Sequence, residues 1–447
     1  MRLKETLGYA VGDLGINLYF ISVMTYLLLF YTDVMGLSAT AAAGVIALAR
    51  VVDAVTDPLM GMLAERTRTR FGRFRPWLIL GALPLAAITV LTFTVPDLDD
   101  TGKLWWAYTT YLLFGILYTV VTIPYSALTA SLTDDYGART QLSTWRMGCA
   151  FSGAFIVSVG TPEFVQLFDD QAAGYQALML VFGVIATGLL LVTYRTTEER
   201  ITPPLGQKLA FNQSVRAVFL NPPLLVVIGI FSCGMLSFTI RQTLTAYYFI
   251  YYLGRPDLIS VFFASTLLVM LAGLVSVPFL AERYGKSGAL VLGAVLTIIA
   301  CLGFYITAPE AVGWVFFWGC LIALGGTPVA VLGWAMIPDT VEYAQWKHGV
   351  RADGSIYSMA SFFQKLAKAL GGAGVALGLG AAGYIANEAQ TAETLVRIHE
   401  MFTLLPAALM LLLIVLARVH PLDEQAHAEI KQALALTSSG TAPLKQQ

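Results

Sequence analysis

Long apolar stretches alternate with short polar segments along nearly the whole chain. Twelve of these stretches are long enough to cross a bilayer, which takes about 20 mainly apolar residues as an α-helix. None alternates apolar and polar residues with period two, so the pattern does not fit a membrane β-barrel. The predicted spans are 7–31, 41–63, 77–95, 104–132, 142–167, 175–194, 223–253, 258–280, 288–307, 312–337, 355–384 and 401–417. The pattern therefore predicts an all-α membrane protein with twelve transmembrane helices.

A polar stretch at 195–216, which contains Pro203 and Pro204, divides the spans into two groups of six. The tetrapeptide LAER follows span 2 at 63–66 and recurs after span 8 at 280–283. A repeat placed equivalently in two six-helix halves indicates the major facilitator fold of two six-helix bundles. We therefore divide the chain into an N-terminal bundle at 1–194, a cytoplasmic linker at 195–216, a C-terminal bundle at 217–419 and a tail at 420–447 that we expect to be disordered.

Lysine and arginine concentrate in alternate loops. The loop after span 2 contains five arginines, whereas the loops on the opposite side contain only Lys103, Arg255 and Arg397, beside several aspartates. Because basic loops stay on the cytoplasmic side, both termini are predicted to be cytoplasmic. The first apolar stretch has no small-residue cleavage site, which favours a retained span over a signal peptide. The predicted location is the plasma membrane, which is the inner membrane if the cell is bacterial.

The composition agrees with lipid as the main solvent. Hydrophobic residues make up 57% of the 447 residues and charged residues 12%, against about 25% charged residues in soluble domains. This balance excludes a conventional soluble enzyme. A net charge of −1, without a basic tract, gives no indication of nucleic-acid binding. The sequence contains no phosphate-binding GxxxxGK[ST] loop, so it gives no indication of ATP-driven transport. The four histidines, which we place in loops or the tail, are His348, His399, His420 and His427.

Two aspartates of span 2, Asp53 and Asp57, are four residues apart. This spacing puts both carboxylates on one helix face, one turn apart. At membrane depth two such charges repel strongly unless a cation or a proton neutralises them. The first interpretation is a site for Na⁺, Li⁺ or H⁺. The alternative is a structural pair that Arg50 or Arg146 neutralises.

Other polar groups in the spans are candidate ligands. Thr119 and Thr122 lie on one face of span 4, and their hydroxyl oxygens would complete a hard-cation site. Arg146 in span 5 and Lys365 in span 11 come from opposite halves, and both could donate hydrogen bonds to sugar hydroxyls in a central cavity. The alternative is that the charged end of either side chain extends to the membrane–water interface. Tyr125 could stack on a sugar or simply pack between helices.

Three charged residues keep more than one interpretation. Asp13, near the cytoplasmic end of span 1, is either functional or a local cap or ion-pair partner. Arg241 in span 7 could face the cavity or a periplasmic layer. Lys368 would lie on a face near that of Lys365.

Several motifs resemble one family over spans 1 to 11. They are GYAVGDLGINL, YTDVMGLS, RVVDAVTDPLMGMLAERTRTRFGRFRPW, TIPYSAL, IPDTVEYAQWKHGVRADGSIYS and QKLAKALGG. They resemble the glycoside-pentoside-hexuronide cation symporters, which include the melibiose carrier. DxxxDPxxG followed by RTRxGRxRPW is long and specific. The resemblance implies the major facilitator fold, no enzymatic activity, no cofactor, and sugar uptake coupled to Na⁺, Li⁺ or H⁺.

The same resemblance assigns roles to five residues. Asp53 and Asp57 match the cation-coordinating pair, and Thr119 matches a hydroxyl beside it. Arg146 matches an arginine that binds sugar, and Lys365 matches a lysine that lines the cavity.

This chain departs from the melibiose carrier on the sugar side. Asn17 stands in place of a sugar-binding aspartate, Thr122 in place of the aspartate before IP in span 4, and Ser126 in place of a tryptophan that stacks on the sugar. An α-galactoside is therefore not specifically expected, and another glycoside, a pentoside or a uronide is equally compatible.

The mechanism expected from this resemblance is alternating access. Cation binding should raise sugar affinity, and sugar should raise cation affinity by the same factor. We expect Arg66, Arg70 and Arg73 to latch the outward-facing state by pairing with acidic groups such as Glu342 or with helix C-termini. The expected partners are one sugar or glycoside, one monovalent cation and the lipid bilayer, and the expected working form is a monomer. Two rival functions are a lysolipid or amphipathic-solute carrier and a sugar sensor that does not transport.

Overall fold

The computed structural model describes residues 3–201, 217–385, 388–422 and 424–438, and these residues are almost entirely helical. The helices are α1 Leu3–Leu29, α2 Ala39–Arg66, α3 Arg75–Thr92, α4 Asp100–Leu132, α5 Tyr136–Val165, α6 Gln171–Thr196, α7 Pro222–Tyr247, α8 Ile259–Gly273, α9 Ser276–Tyr305, α10 Val312–His348, α11 Asp353–Ala381, α12 Ala392–Val419 and α13 Glu424–Ser438. Short π-helical segments, Phe30–Val34 and Tyr248–Tyr252, continue α1 and α7.

Ten helices within the described ranges are long and apolar enough to cross a membrane. The helices α2, which carries Arg50, Asp53 and Asp57, and α11, which carries Lys365 and Lys368, are not among these ten. The all-helical architecture is therefore confirmed, whereas the number of twelve spans stays a prediction.

The residues form two compact units. The first comprises Met1–Ala217 and Val350–Phe362, and the second comprises Val218–Gly349 and Phe363–Gln447. The prediction places all of span 11 in the C-terminal bundle, whereas the start of α11 packs in the first unit. There Glu65 accepts hydrogen bonds from the backbone N–H of Ser355 at 2.7 Å and from its hydroxyl at 2.9 Å. This carboxylate satisfies a backbone donor at the start of α11.

In the second unit one predicted turn is present as a break within α9, and one helix boundary differs from the prediction. The turn expected between spans 8 and 9 lies at Gly285, whose φ of +71° favours glycine. The helix α12 begins at Ala392, well before the predicted position 401, because charged residues interrupt the apolar pattern there. His399, predicted to lie in a loop, is therefore a buried residue of α12.

The tail was predicted to be disordered, but its described part contains α13. Leu422, His427 and Ile430 are buried. Nε2 of His427 lies 2.5 Å from Oε2 of Glu342 near the end of α10. The polar composition of the tail concealed this helix because its buried face is short.

A glutamate after α6 caps the start of α3. Oε2 of Glu199 accepts a hydrogen bond from the backbone N–H of Arg73 at 2.9 Å, and Oε1 accepts from Phe74 and Arg75 at 2.9 and 3.1 Å. The carboxylate satisfies N–H groups that the beginning of a helix leaves open, at the positive end of its dipole.

We expect Glu199→Ala to lower the free energy of unfolding by about 1–3 kcal/mol, because three backbone donors lose a charged acceptor. Thermal and urea unfolding of the purified protein in detergent would measure this. Glu198→Ala is the matched control, since Glu198 is exposed. Equal stability of the two variants would contradict the capping role.

Candidate functional site

Asp53 and Asp57 lie on the side of α2 that packs against α4. Asp57 is fully buried, and its Oδ1 accepts a hydrogen bond from the Thr119 hydroxyl at 2.8 Å. Asp53 is 8% exposed, and its Oδ2 lies 3.3 Å from Nη1 of Arg50. The structure thus brings together the predicted carboxylate pair and one predicted hydroxyl.

The helix α4 presents two small residues to these carboxylates. Thr119 contacts Asp57, and Gly115, one turn earlier, faces Asp53. A Cβ atom at position 115 would lie 3.4 Å from Oδ1 of Asp53. Any side chain longer than that of alanine would therefore compete for the space beside this oxygen. Glycine keeps that space available to a small ligand.

The charges of the pair favour a bound cation. Arg50, Asp53 and Asp57 together carry one net negative charge when both acids are ionised. Charge buried at membrane depth is costly unless it is compensated. Of the two arginines considered as neutralising partners, Arg50 contacts Asp53, while Arg146 pairs with Asp13. One monovalent cation or one proton would neutralise Arg50 and the two carboxylates as a group.

The two predicted hydroxyls of α4 have different contacts. Thr119 donates to Asp57, whereas Thr122 donates to the backbone oxygen of Tyr118 in its own helix at 2.9 Å. Substitution of Thr119 can therefore be compared with substitution of Thr122 as its matched control.

We expect Thr119→Val to weaken cation binding by about 10- to 100-fold, because a hydrogen bond to a charged group contributes about 1.5–3 kcal/mol. Thr122→Val should leave cation affinity unchanged. The cation concentration that gives half-maximal transport would be measured for both variants. A larger loss for Thr122→Val would contradict this assignment.

Arg146 of α5 lies against α1. Its Nε lies 2.9 Å from Oδ2 of Asp13, and both residues are buried, with 5% and 4% exposure. Its Nη2 lies 3.4 Å from the hydroxyl of Ser126, and its guanidinium carbon lies 5.2 Å from the ring centroid of Tyr125. Arg146 is therefore a buried, ion-paired residue and does not extend to an interface.

Two other predicted sugar ligands surround this pair. Asn17, one turn after Asp13, is half-buried and donates through Nδ2 to the backbone oxygen of Asp13 at 2.8 Å. Tyr125 is fully buried, stacks on Tyr9 at 4.8 Å, and donates its hydroxyl to the Tyr9 backbone oxygen at 2.8 Å. Tyr125 was expected either to stack on a sugar or to pack between helices, and in the structure it packs between α4 and α1.

The remaining charged candidates lie in the second unit. Lys365 and Lys368 are half-buried residues of α11. Arg241 of α7 has its guanidinium carbon 5.4 Å from the ring centroid of Phe402. The role of Lys365 stays a prediction from the family resemblance.

The predicted gating residues have different environments. Arg66 and Arg70 are exposed, and Arg70 lies over the ring of Phe71. Arg73 is buried, and its Nη2 lies 2.8 Å from Oδ2 of Asp353. Glu342, proposed as an acceptor for these arginines, contacts His427 in the second unit.

Asp353 at the start of α11 was not singled out from the sequence. In addition to Arg73 it binds Arg351, whose Nη2 lies 2.9 Å from Oδ1. Burial raises the pKa of Asp353, but the guanidinium groups of Arg351 and Arg73 lower it more, so the pKa lies below its ordinary value. The signal in the sequence is the opposite charges of Arg351 and Asp353, two residues apart just before span 11.

Comparisons with known proteins agree with this architecture. The family described as MFS/sugar transport protein matches residues 8–424. The uncharacterized symporter YnaJ of Bacillus subtilis is 35% identical, covering 97% of this chain and 95% of that protein. The isoprimeverose transporter of Lactiplantibacillus pentosus is 34% identical, covering 90% and 85%. The structure of the proton:xylose symporter XylE, of the major facilitator superfamily, is 16% identical with a TM-score of 0.65, covering 97% and 98%.

The protein is thus a multi-pass membrane transporter with the major facilitator fold, and it is not an enzyme. Within that class it belongs to the MFS/sugar transport protein family. The resemblance to the glycoside-pentoside-hexuronide cation symporters is confirmed.

Proposed function

We propose that the protein couples uptake of a sugar or glycoside to Na⁺ or H⁺ by alternating access. The observation that carries this proposal is the buried group of Asp53, Asp57 and Thr119 in a chain of a sugar transport family. Carboxylate and hydroxyl oxygens are ligands that hard cations prefer. Li⁺ can replace Na⁺ at such a site, and a proton on either carboxylate would remove the same repulsion.

The helix α4 connects this site to Arg146. Thr119 contacts Asp57, and Ser126, two turns further along α4, contacts Arg146. Cation binding that fixes α2 against α4 would therefore also fix the hydroxyl beside Arg146. Since coupling between two ligands is reciprocal, sugar bound at Arg146 would raise cation affinity.

The proposal includes a topology. Twelve helices cross the membrane, namely the ten long apolar helices together with α2 and α11, and both termini lie in the cytoplasm. The working form is a monomer in the bacterial inner membrane or an equivalent plasma membrane.

Transport currents in proteoliposomes test the proposal. The panel contains isoprimeverose, xylose, melibiose, methyl β-glucoside and methyl β-glucuronide, each with Na⁺, Li⁺ or choline at two pH values. We expect a current that requires one sugar together with Na⁺, Li⁺ or a proton gradient. Silence across the panel from folded protein would overturn the proposal, and sugar binding without current would indicate a sensor.

A further inference from the structure

Arg241 is a charged residue inside a helical run, Pro222–Tyr252, that is long and apolar enough to cross a membrane. Among the residues that the structure describes, Arg241 forms no ion pair and donates no hydrogen bond, and its Nε is buried without a partner. Its guanidinium carbon lies 5.4 Å from the ring centroid of Phe402. Charged side chains within a membrane usually pair with another charge or with backbone oxygens, so Arg241 lacks the usual compensation.

The contact with Phe402 compensates the charge of Arg241 only in part. The face of an aromatic ring attracts a cation. An anion would attract the guanidinium and would also accept its hydrogen bonds. Buried donors without an acceptor are destabilising. Because Arg241 as a whole is half-buried, a small ligand can still reach its side chain.

A second donor without a partner lies on the same face of α7. Tyr248 follows Arg241 by two helical turns. It is fully buried, and its hydroxyl has no hydrogen-bond partner in the described part of the chain. Its ring stacks on Phe402 with 4.7 Å between the centroids, so both residues of α7 contact the same ring.

Packing explains the ring of Tyr248 but not its hydroxyl. Phe304 of α9 lies edge-on to Tyr248 at 5.4 Å and to Phe402 at 5.2 Å. A phenylalanine at position 248 could make the same ring contacts. A buried hydroxyl therefore calls for a hydrogen-bonding partner. A guanidinium only donates, and a phenol hydroxyl can donate as well, so the ligand that suits the two together is an anion.

We propose that Arg241 and Tyr248 form an anion-binding site in the second unit, where the guanidinium neutralises the anion and the hydroxyl donates to it. Such a group has two sources. It is either the acidic group of a transported sugar or a free inorganic anion such as chloride. The first source makes Arg241 a specificity-determining residue and rests on the proposed function, whereas the second does not depend on it.

Binding to purified protein at constant Na⁺ tests the proposal. Chloride affinity is measured without sugar, with the much larger HEPES anion as replacement, and affinities for methyl β-glucuronide and methyl β-glucoside are measured without chloride. Arg241→Gln should weaken binding of chloride or of the glucuronide by at least about tenfold, because hydrogen bonds to a charged group are lost. Affinity for the glucoside, which has no acidic group, should stay within about twofold.

Two further variants complete the test. Tyr248→Phe keeps the ring and should weaken binding of the same anion as Arg241→Gln. Arg397→Gln removes an exposed arginine of α12, with 58% side-chain exposure, and should change neither affinity.

The pattern of losses identifies the anion. A loss for the glucuronide alone assigns the site to the acidic group of the sugar, and a loss of chloride binding assigns it to an inorganic anion. Equal losses for glucuronide and glucoside without a loss of chloride binding, or full affinity for both anions, would overturn the site.

Failure of the proposed function remains distinguishable. If the unmodified protein binds no sugar of the panel, that function fails, and chloride binding alone decides whether Arg241 holds an anion. Absence of chloride binding as well would then reject the site. Should Arg241→Gln not fold, Tyr248→Phe decides, and full anion affinity in that variant would contradict the proposal.

Discussion

Replacement of Asp57 by asparagine is expected to abolish concentrative sugar uptake. The substitution keeps the size of the side chain but removes a negative charge from a fully buried position beside Thr119 and Asp53. Loss of one partner from a buried charged group costs about 3–5 kcal/mol. Since each 1.4 kcal/mol is a factor of ten, cation affinity should fall by at least about 100-fold.

Two assays separate coupling from sugar binding in this variant. In vesicles with an imposed cation gradient, Asp57→Asn should equilibrate sugar without accumulating it. Exchange of labelled for unlabelled sugar, which needs no net cation movement, should remain measurable. Asp97→Asn, in the exposed segment before α4, is the control for expression and insertion. Full accumulation by Asp57→Asn would exclude Asp57 as a cation ligand.

The second large effect is expected for Asp353→Asn. Asp353 is completely buried between two arginines, with Arg73 at 2.8 Å and Arg351 at 2.9 Å. Its removal leaves two guanidinium groups without this carboxylate, which should lower the free energy of unfolding by about 3–5 kcal/mol. Denaturant unfolding of the purified protein would measure the loss.

Acid should also lower the free energy of unfolding of the unmodified protein, because it protonates Asp353. The pKa of Asp353 is lower in the folded state than its ordinary value. Its contribution to stability is therefore complete above the ordinary pKa and is lost as the pH falls through the depressed pKa. Asp353→Asn should lack this part of the acid sensitivity.

An exposed ion pair provides the control for this experiment. Oδ2 of Asp257 lies 2.8 Å from Nη2 of Arg255, a similar distance to that of the Arg73 pair, but both side chains are at least half exposed. Exposed pairs contribute little because water screens them. Asp257→Asn should therefore leave stability nearly unchanged. If both variants lose the same stability, burial is not the cause.

The sequence predicted the parts of the site that depend on local periodicity. Asp53 and Asp57 are four residues apart in one helix, so their common face follows from helix geometry alone. The pairing of Asp13 with Arg146 joins residues 133 positions apart. The capping of α3 by Glu199 joins residues 126 positions apart at Arg73. No local pattern encodes such distances, and a resemblance carries over only the residues that match a motif.

The fold was predictable wherever apolar residues dominate a span. The boundaries were wrong where charge interrupts a helix, as in the first residues of α12, or where a helix has a short buried face, as in α13. In each helix a buried histidine has a partner on another helix: His427 contacts Glu342, and Nε2 of His399 lies 3.0 Å from the backbone oxygen of Tyr305. Hydropathy measures the preference of single residues and does not include such partners.

The position of 350–362 within the first unit has a consequence for biosynthesis. The hydrogen-bond partner of Glu65, Ser355, is synthesised 290 residues later. The ion-pair partner of Arg73, Asp353, is synthesised 280 residues later. At about 5–20 residues per second, the ribosome needs roughly 10–30 s after the end of α6 to deliver these partners. The first six helices are therefore synthesised before the residues that complete their unit, and a fragment that stops before residue 350 would lack those residues.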